Sequence, residues 1–109
     1  MKRADVVTVA TGGGFGGKPR PALIVQSDEY VTSETVIVAL FTTAVQNVPT
    51  TRPLFQPTPE NGLLHPSELE ADVIVTARRS KVGRVLGSLS RREMARVDAV
   101  LAAVLGLAG

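Results

Sequence analysis

Thr35-Val36-Ile37-Val38-Ala39-Leu40-Phe41 is apolar after its first residue and rich in β-branched side chains. Such side chains are stiff at χ1 and pack well on a pleated surface, so the run predicts a central strand buried on both faces. It is far too short to cross a bilayer. The whole chain has 109 residues, which fits one domain over 1–109. A chain of this size buries only about two thirds of the surface its unfolded form exposes, so pairing with a second subunit would help it.

Around that strand the sequence alternates. Asp5–Ala10 has period two and reads as a strand. Residues 11–19 form a glycine-rich loop that ends in Lys18-Pro19. Arg20–Gln26 reads as a second strand, with Pro21 limiting its start to an edge or a strand beginning. Thr51–Gln56 is an edge candidate because of Pro53, and Asn61-Gly62 marks a turn. Glu70–Thr76 and Arg84–Leu89 complete about six short strands. The period then changes. Ser90-Arg91-Arg92-Glu93 is a capping box, in which serine and glutamate satisfy the first free helix amides. Met94, Val97, Leu101, Val104 and Leu105 follow at helical spacing, and Gly106 is a stop signal.

Several chemistries are excluded. There is no cysteine, so neither a disulfide framework nor a thiolate metal site is available, and a single histidine, His65, rules out a His-rich metal centre. No metal or cofactor is expected. Gly12, Gly14 and Gly17 match the letters of a dinucleotide-binding loop, but a strand follows where a helix is required. The same stretch fails as a phosphate-binding P-loop because Pro19 stands where a magnesium-binding hydroxyl belongs. His65, between Leu64 and Pro66, reads as a surface turn residue. The first residues alternate instead of forming a secretion signal's apolar block, so a cytoplasmic protein without a membrane segment is expected.

Charge is uneven. Arg78, Arg79, Lys81, Arg84, Arg91, Arg92 and Arg96 face one acid, Glu93, a balance of +6, while the remaining five bases and nine acids balance at −4. The basic segment is a candidate surface for a polyanion or an acidic partner, or a solvated helix face.

Taken in order, these residues resemble the MazF/PemK toxin family. The resemblance rests on Lys2-Arg3 with Asp5-Val6-Val7, Lys18-Pro19-Arg20-Pro21-Ala22-Leu23-Ile24-Val25-Gln26-Ser27-Asp28, Val36-Ile37-Val38-Ala39-Leu40-Phe41-Thr42, and Asn61-Gly62-Leu63 with Pro66-Ser67. Asp72 four residues before Thr76, Gly87-Ser88-Leu89-Ser90 and Val104-Leu105-Gly106-Leu107 complete it, so it spans Lys2 to Leu107. It implies a mainly β fold, a small curved antiparallel SH3-like barrel with a C-terminal α-helix. It also implies a homodimer, an acidic antitoxin partner, and metal-independent cleavage of single-stranded RNA through the 2′-hydroxyl to a 2′,3′-cyclic phosphate. Relatives of the CcdB type poison gyrase instead, through last residues that include a tryptophan; this chain has none and ends Leu107-Ala108-Gly109. A degenerate module that binds an antitoxin and cuts nothing is a further alternative.

The resemblance carries roles onto individual positions. Arg20 would hold the charge developing on phosphorus, for which a guanidinium fork is suited. Thr42 would hydrogen-bond the scissile phosphate, with Thr43 as its competitor for that role. Asp72 matches an acidic position that acts in some relatives as a catalytic or positioning group, and an ionised carboxylate beside an arginine orients better than it donates. RNA contacts are expected from Lys18, Thr43, Arg78, Arg79 and Lys81, and from Phe15 stacking on a base. Glu70 stands where one branch carries a functional arginine, and this departure puts a second arginine from that strand in doubt.

Overall fold

The computed structural model describes residues 1–10, 18–30 and 34–107. The strands are β1 (Asp5–Ala10), β2 (Pro19–Ile24), β3 (Thr35–Thr42), β4 (Leu54–Phe55), β5 (Ser67–Arg78) and β6 (Val82–Ser88), and helix α1 covers Arg91–Val104. They form one antiparallel sheet in the order β4-β5-β3-β2-β1-β6. The apolar run is therefore interior, between β2 and β5, as its composition predicts. Val36 and Val38 pack on one face with Val7, Val9, Ala22 and Ile24, while Ala39 and Phe41 pack on the other with Leu23, Leu69 and the helix.

Helix α1 starts at the capping box. Ser90 Oγ accepts from the Glu93 amide at 3.1 Å, and the Glu93 carboxylate accepts from the Ser90 amide at 2.9 Å. Its buried residues Met94, Val97 and Leu101 meet the sheet, and each contributes about 1.5–3 kcal/mol by leaving water. Gly106 lies beyond the helix end with φ 72°, in the left-handed region. Among the described residues, no helix is long and apolar enough to cross a membrane.

Three departures from the sequence expectations shape the region around the strand ends. First, β4 is two residues long instead of Thr51–Gln56, because Pro53 and Pro57 bracket it and supply no amide donors. Second, β2 pairs with β1 from Pro19 to Leu23, but its ladder to β3 covers only Ala22 to Ile24. The residues that β3 leaves unpaired include Pro19 and Pro21, which have no amide hydrogen to give. Third, β5 begins at Ser67 and is irregular. Phe41 faces Leu69 and Ala39 faces Ile74, so Leu40 alone is set against Glu70 to Val73. A bulge of this kind bends a strand and re-aims its side chains.

The family-like motif residues Asn61-Gly62 and Gly87 are structural. Asn61 is fully buried; its Oδ1 accepts from the amides of Thr58 (3.0 Å) and Leu63 (2.9 Å), and its Nδ2 donates to the Gln56 carbonyl at 2.9 Å. A Cβ on Gly87 would lie 2.2 Å from the Glu60 carbonyl oxygen, so only glycine lets β6 approach this turn.

Candidate functional site

The splayed ends of β2 and β3 open a cleft of about 540 Å³ lined by Arg20, Pro21, Thr42, Thr43, Arg52 and Glu70, with Ser67 and the 44–46 loop at its edge. If the β2–β3 ladder continued past Ala22↔Leu40, Arg20 would stand opposite Thr42. Instead the Arg20 side chain bridges the gap, its Nη2 donating to the Phe41 carbonyl at 2.8 Å and to Glu70 Oε1 at 2.6 Å. Thr42 Oγ1 accepts from the Ala44 amide at 3.1 Å, which fixes the hydroxyl and leaves its hydrogen to donate. Thr43 is exposed and lines the same cleft.

The carboxylate on Arg20 is that of Glu70, and not that of Asp72. The bulge in β5 turns Glu70 into the cleft, while Asp72 Oδ1 accepts from Arg52 Nε at 3.2 Å and lies outside the cleft lining. Arg52 itself completes the group, with Nη2 at 3.6 Å from Glu70 Oε2. Sequence reasoning missed Arg52, because an isolated arginine before Pro53 carries no pattern; only the pairing of β4 with the start of β5 brings it here. It also missed Glu68, which is buried and accepts from the amides of Gln46 (3.0 Å) and Asn47 (2.9 Å), holding the loop that borders the cleft.

The other expected contacts lie apart. Lys18 is exposed just before β2 and is not in the cleft lining, and Phe15 falls outside the described residues. Arg78 pairs with Thr35, at the opposite end of β3 from Thr42, roughly 23 Å of strand away at the usual rise. Arg78 and Lys81 border another cavity there with Val9 and Leu40, and Arg79 lies beside Met1, Lys2 and Asp28. The basic segment does not form one face, since Arg96 packs over the Phe55 ring at 5.0 Å and donates to the Leu54 carbonyl. His65 is exposed and lines a mainly apolar cavity of about 350 Å³ with Leu64, Arg84 and Leu86. That cavity shares Pro21, Thr43 and Ser67 with the Arg20 cleft.

An arginine fork beside a fixed hydroxyl, at the mouth of a cleft that continues into an apolar cavity, suits a phosphate attached to a planar ring system. Comparison with known proteins fits this chemistry. Residues 2–105 match the family described as PemK-like, MazF-like toxin of type II toxin-antitoxin system. The chain is 39% identical over 109 residues to a probable endoribonuclease MazF of Mycolicibacterium smegmatis, with 100% of both chains covered. An endoribonuclease from a mycobacterial species, solved in complex with its cognate antitoxin, superposes with TM-score 0.76 at 24% identity over 100% of this chain and 98% of that one. A MazE–MazF complex from Deinococcus radiodurans gives TM-score 0.78 at 20% identity over 99% and 98% of the two chains. The two solved structures establish the curled sheet and C-terminal helix as a shared fold.

Proposed function

Since the chain belongs to the PemK-like, MazF-like toxins of type II toxin–antitoxin systems, we propose that its Arg20 cleft is where this endoribonuclease cuts single-stranded RNA. In this reading the scissile phosphate enters between the Arg20 guanidinium and the Thr42 hydroxyl. The RNA's own 2′-oxygen attacks phosphorus, a P–O2′ bond forms and the P–O5′ bond breaks. The proton lost from the 2′-oxygen is balanced by the one gained at the 5′-oxygen, so the products are a 2′,3′-cyclic phosphate and a 5′-hydroxyl and no metal ion takes part. Arg20 and Thr42 place donors where charge grows on the non-bridging oxygens, which is where fixed donors lower a barrier most. The adjoining apolar cavity receives a base splayed from the strand.

The observation that carries this reading is the placement of Arg20 and Thr42 in the lining of one cleft. A long RNA incubated with the protein in excess chelator, followed by end mapping, tests it. Discrete cuts with cyclic-phosphate ends, slowed by about 10³-fold in Arg20→Ala, are expected. Cutting that stops in chelator contradicts the reading.

Three further parts of the reading concern partners and place. A homodimer is supported by the exposed apolar residues Tyr30, Ile37 and Leu105, which border a groove that Leu101 and Ile74 also line. An acidic antitoxin segment would cover Arg20, whose guanidinium offers the same donors to a carboxylate as to a phosphate. A cytoplasmic location belongs to the same reading, since messenger RNA is met there.

A further inference from the structure

Glu70 is held between two guanidiniums. Its Oε1 accepts from Arg20 Nη2 at 2.6 Å, and its Oε2 lies 3.6 Å from Arg52 Nη2. Arg52 is anchored from behind, its Nε donating to Asp72 Oδ1 at 3.2 Å. The Arg52 and Glu70 side chains are only 15% and 16% exposed, so neither is a solvated surface ion, yet both line the cleft. The cleavage scheme above uses Arg20 and Thr42 and gives Arg52 nothing to do.

A carboxylate presents two oxygens that share one negative charge. The two non-bridging oxygens of a phosphodiester do the same. Two guanidiniums that approach one carboxylate from its two oxygens therefore form a clamp of the right charge and shape for a phosphate. We propose that Arg52 is a second catalytic, phosphate-binding arginine and that Glu70 fills the clamp until the scissile phosphate displaces it. This rests on the Arg20 cleft being the RNA site. With Glu70 in place, Arg20 and Arg52 are balanced by Glu70 and Asp72. Once Glu70 swings out, both arginines face one phosphate. The pentacoordinate phosphorus carries more negative charge on its non-bridging oxygens than the ground state does, so the second guanidinium contributes more to the transition state than to binding. Asp72 acts through Arg52 as a positioning residue, since its bond to Nε fixes the direction of the fork.

The test uses full-length protein, an RNA whose cut sites in the wild type have been mapped, and a short oligonucleotide spanning one site with a 2′-deoxy nucleotide at the scissile position. Single-turnover rates are measured on the first and dissociation constants at several salt concentrations on the second. R52Q is expected to slow cleavage by about 10²- to 10³-fold, as loss of one transition-state donor does. It should also flatten the slope of log affinity against log salt by about 0.7, the share of one phosphate contact on a single strand. R52K should recover the salt slope but little of the rate. E70Q should bind the oligonucleotide more tightly and cut faster at subsaturating RNA. D72N should slow cleavage in the wild-type background and add nothing to R52Q. Melting temperatures identify any variant that does not fold; if R52Q fails to fold, R52K and E70Q decide. Wild-type cleavage in both Arg52 variants overturns the proposal. So does a slower E70Q with unchanged affinity, which would make Glu70 the base that takes the 2′-proton. A wild type that leaves RNA intact, or an Arg20→Ala variant that cuts at the wild-type rate, would instead overturn the functional reading itself.

Discussion

Arg20 on β2 and Glu70 in the β5 bulge meet at 2.6 Å although β3 lies between their strands in the sheet. The contact exists because the ladder between β2 and β3 covers only Ala22 to Ile24 and because four residues of β5 are set against Leu40. Both irregularities are local breaks in a regular sheet, and together they place a charged cluster at the strand ends. The Phe41 carbonyl takes a second Arg20 hydrogen bond at 2.8 Å, so the guanidinium is oriented before any substrate arrives.

On the proposed mechanism Arg20 supplies orientation as well as charge. Arg20→Lys keeps the charge but replaces the planar guanidinium, which holds the Phe41 carbonyl and Glu70 through Nη2 alone and has further N–H groups to offer a phosphate, with one ammonium nitrogen. Single-turnover cleavage should fall by about 10²-fold, with an unchanged melting temperature. Near wild-type rates would show that a point charge suffices.

Thr42 and Thr43 separate by their bonding. The Thr42 hydroxyl is fixed by the Ala44 amide at 3.1 Å, and Thr42 lines the cleft. Thr42→Ala should slow cleavage by about 10- to 100-fold, as removal of one aimed donor does, while Thr42→Ser retains most of the rate and Thr43→Ala changes it little. The reverse ranking in the same assay would move the role to Thr43.

Glu68 is buried and satisfied by two backbone amides of the 46–47 loop. Glu68→Gln keeps the volume but can accept both bonds less well and brings in an NH₂ that needs a partner. It should cost about 1–3 kcal/mol, read as a fall in urea midpoint with an unchanged slope.

Two glycines should behave oppositely. At Gly87 a Cβ would sit 2.2 Å from the Glu60 carbonyl oxygen and 2.6 Å from the Asn61 carbonyl carbon, both backbone atoms that cannot rotate away. Gly87→Ala should cost about 3 kcal/mol. Gly106 has φ +72° but nothing within 4 Å of a built Cβ, so Gly106→Ala should cost only about 1 kcal/mol. Thermal unfolding of the two variants checks the order.

The strands and the helix were legible because their signals are local. Val36 to Phe41 announces a buried strand in its own composition, and Ser90 with Glu93 announces a helix start three residues apart. Resemblance singled out Arg20 and Thr42, and both line one cleft. The partner of Arg20 was not, since alternation along β5 says nothing of where a bulge falls, and it is the bulge that turns Glu70 inward and sets Asp72 on Arg52. Arg52 was invisible for a similar reason: its neighbours in space come from β5, some twenty residues away in sequence. The basic segment from Arg78 to Arg96 misled by concentration in sequence, because a turn, a strand and a helix point its side chains in different directions.

The central claim is that Arg20 and Thr42 act on the same phosphodiester. A double-mutant cycle measures that directly, with single-turnover cleavage of one mapped RNA site in chelator by the wild type, Arg20→Ala, Thr42→Ala and the double variant. Shared action predicts that the double variant is scarcely slower than Arg20→Ala alone, because the first loss leaves the phosphate misplaced for the second group. Losses that multiply in full would mean that the two side chains work on separate steps or separate atoms, and would contradict the account.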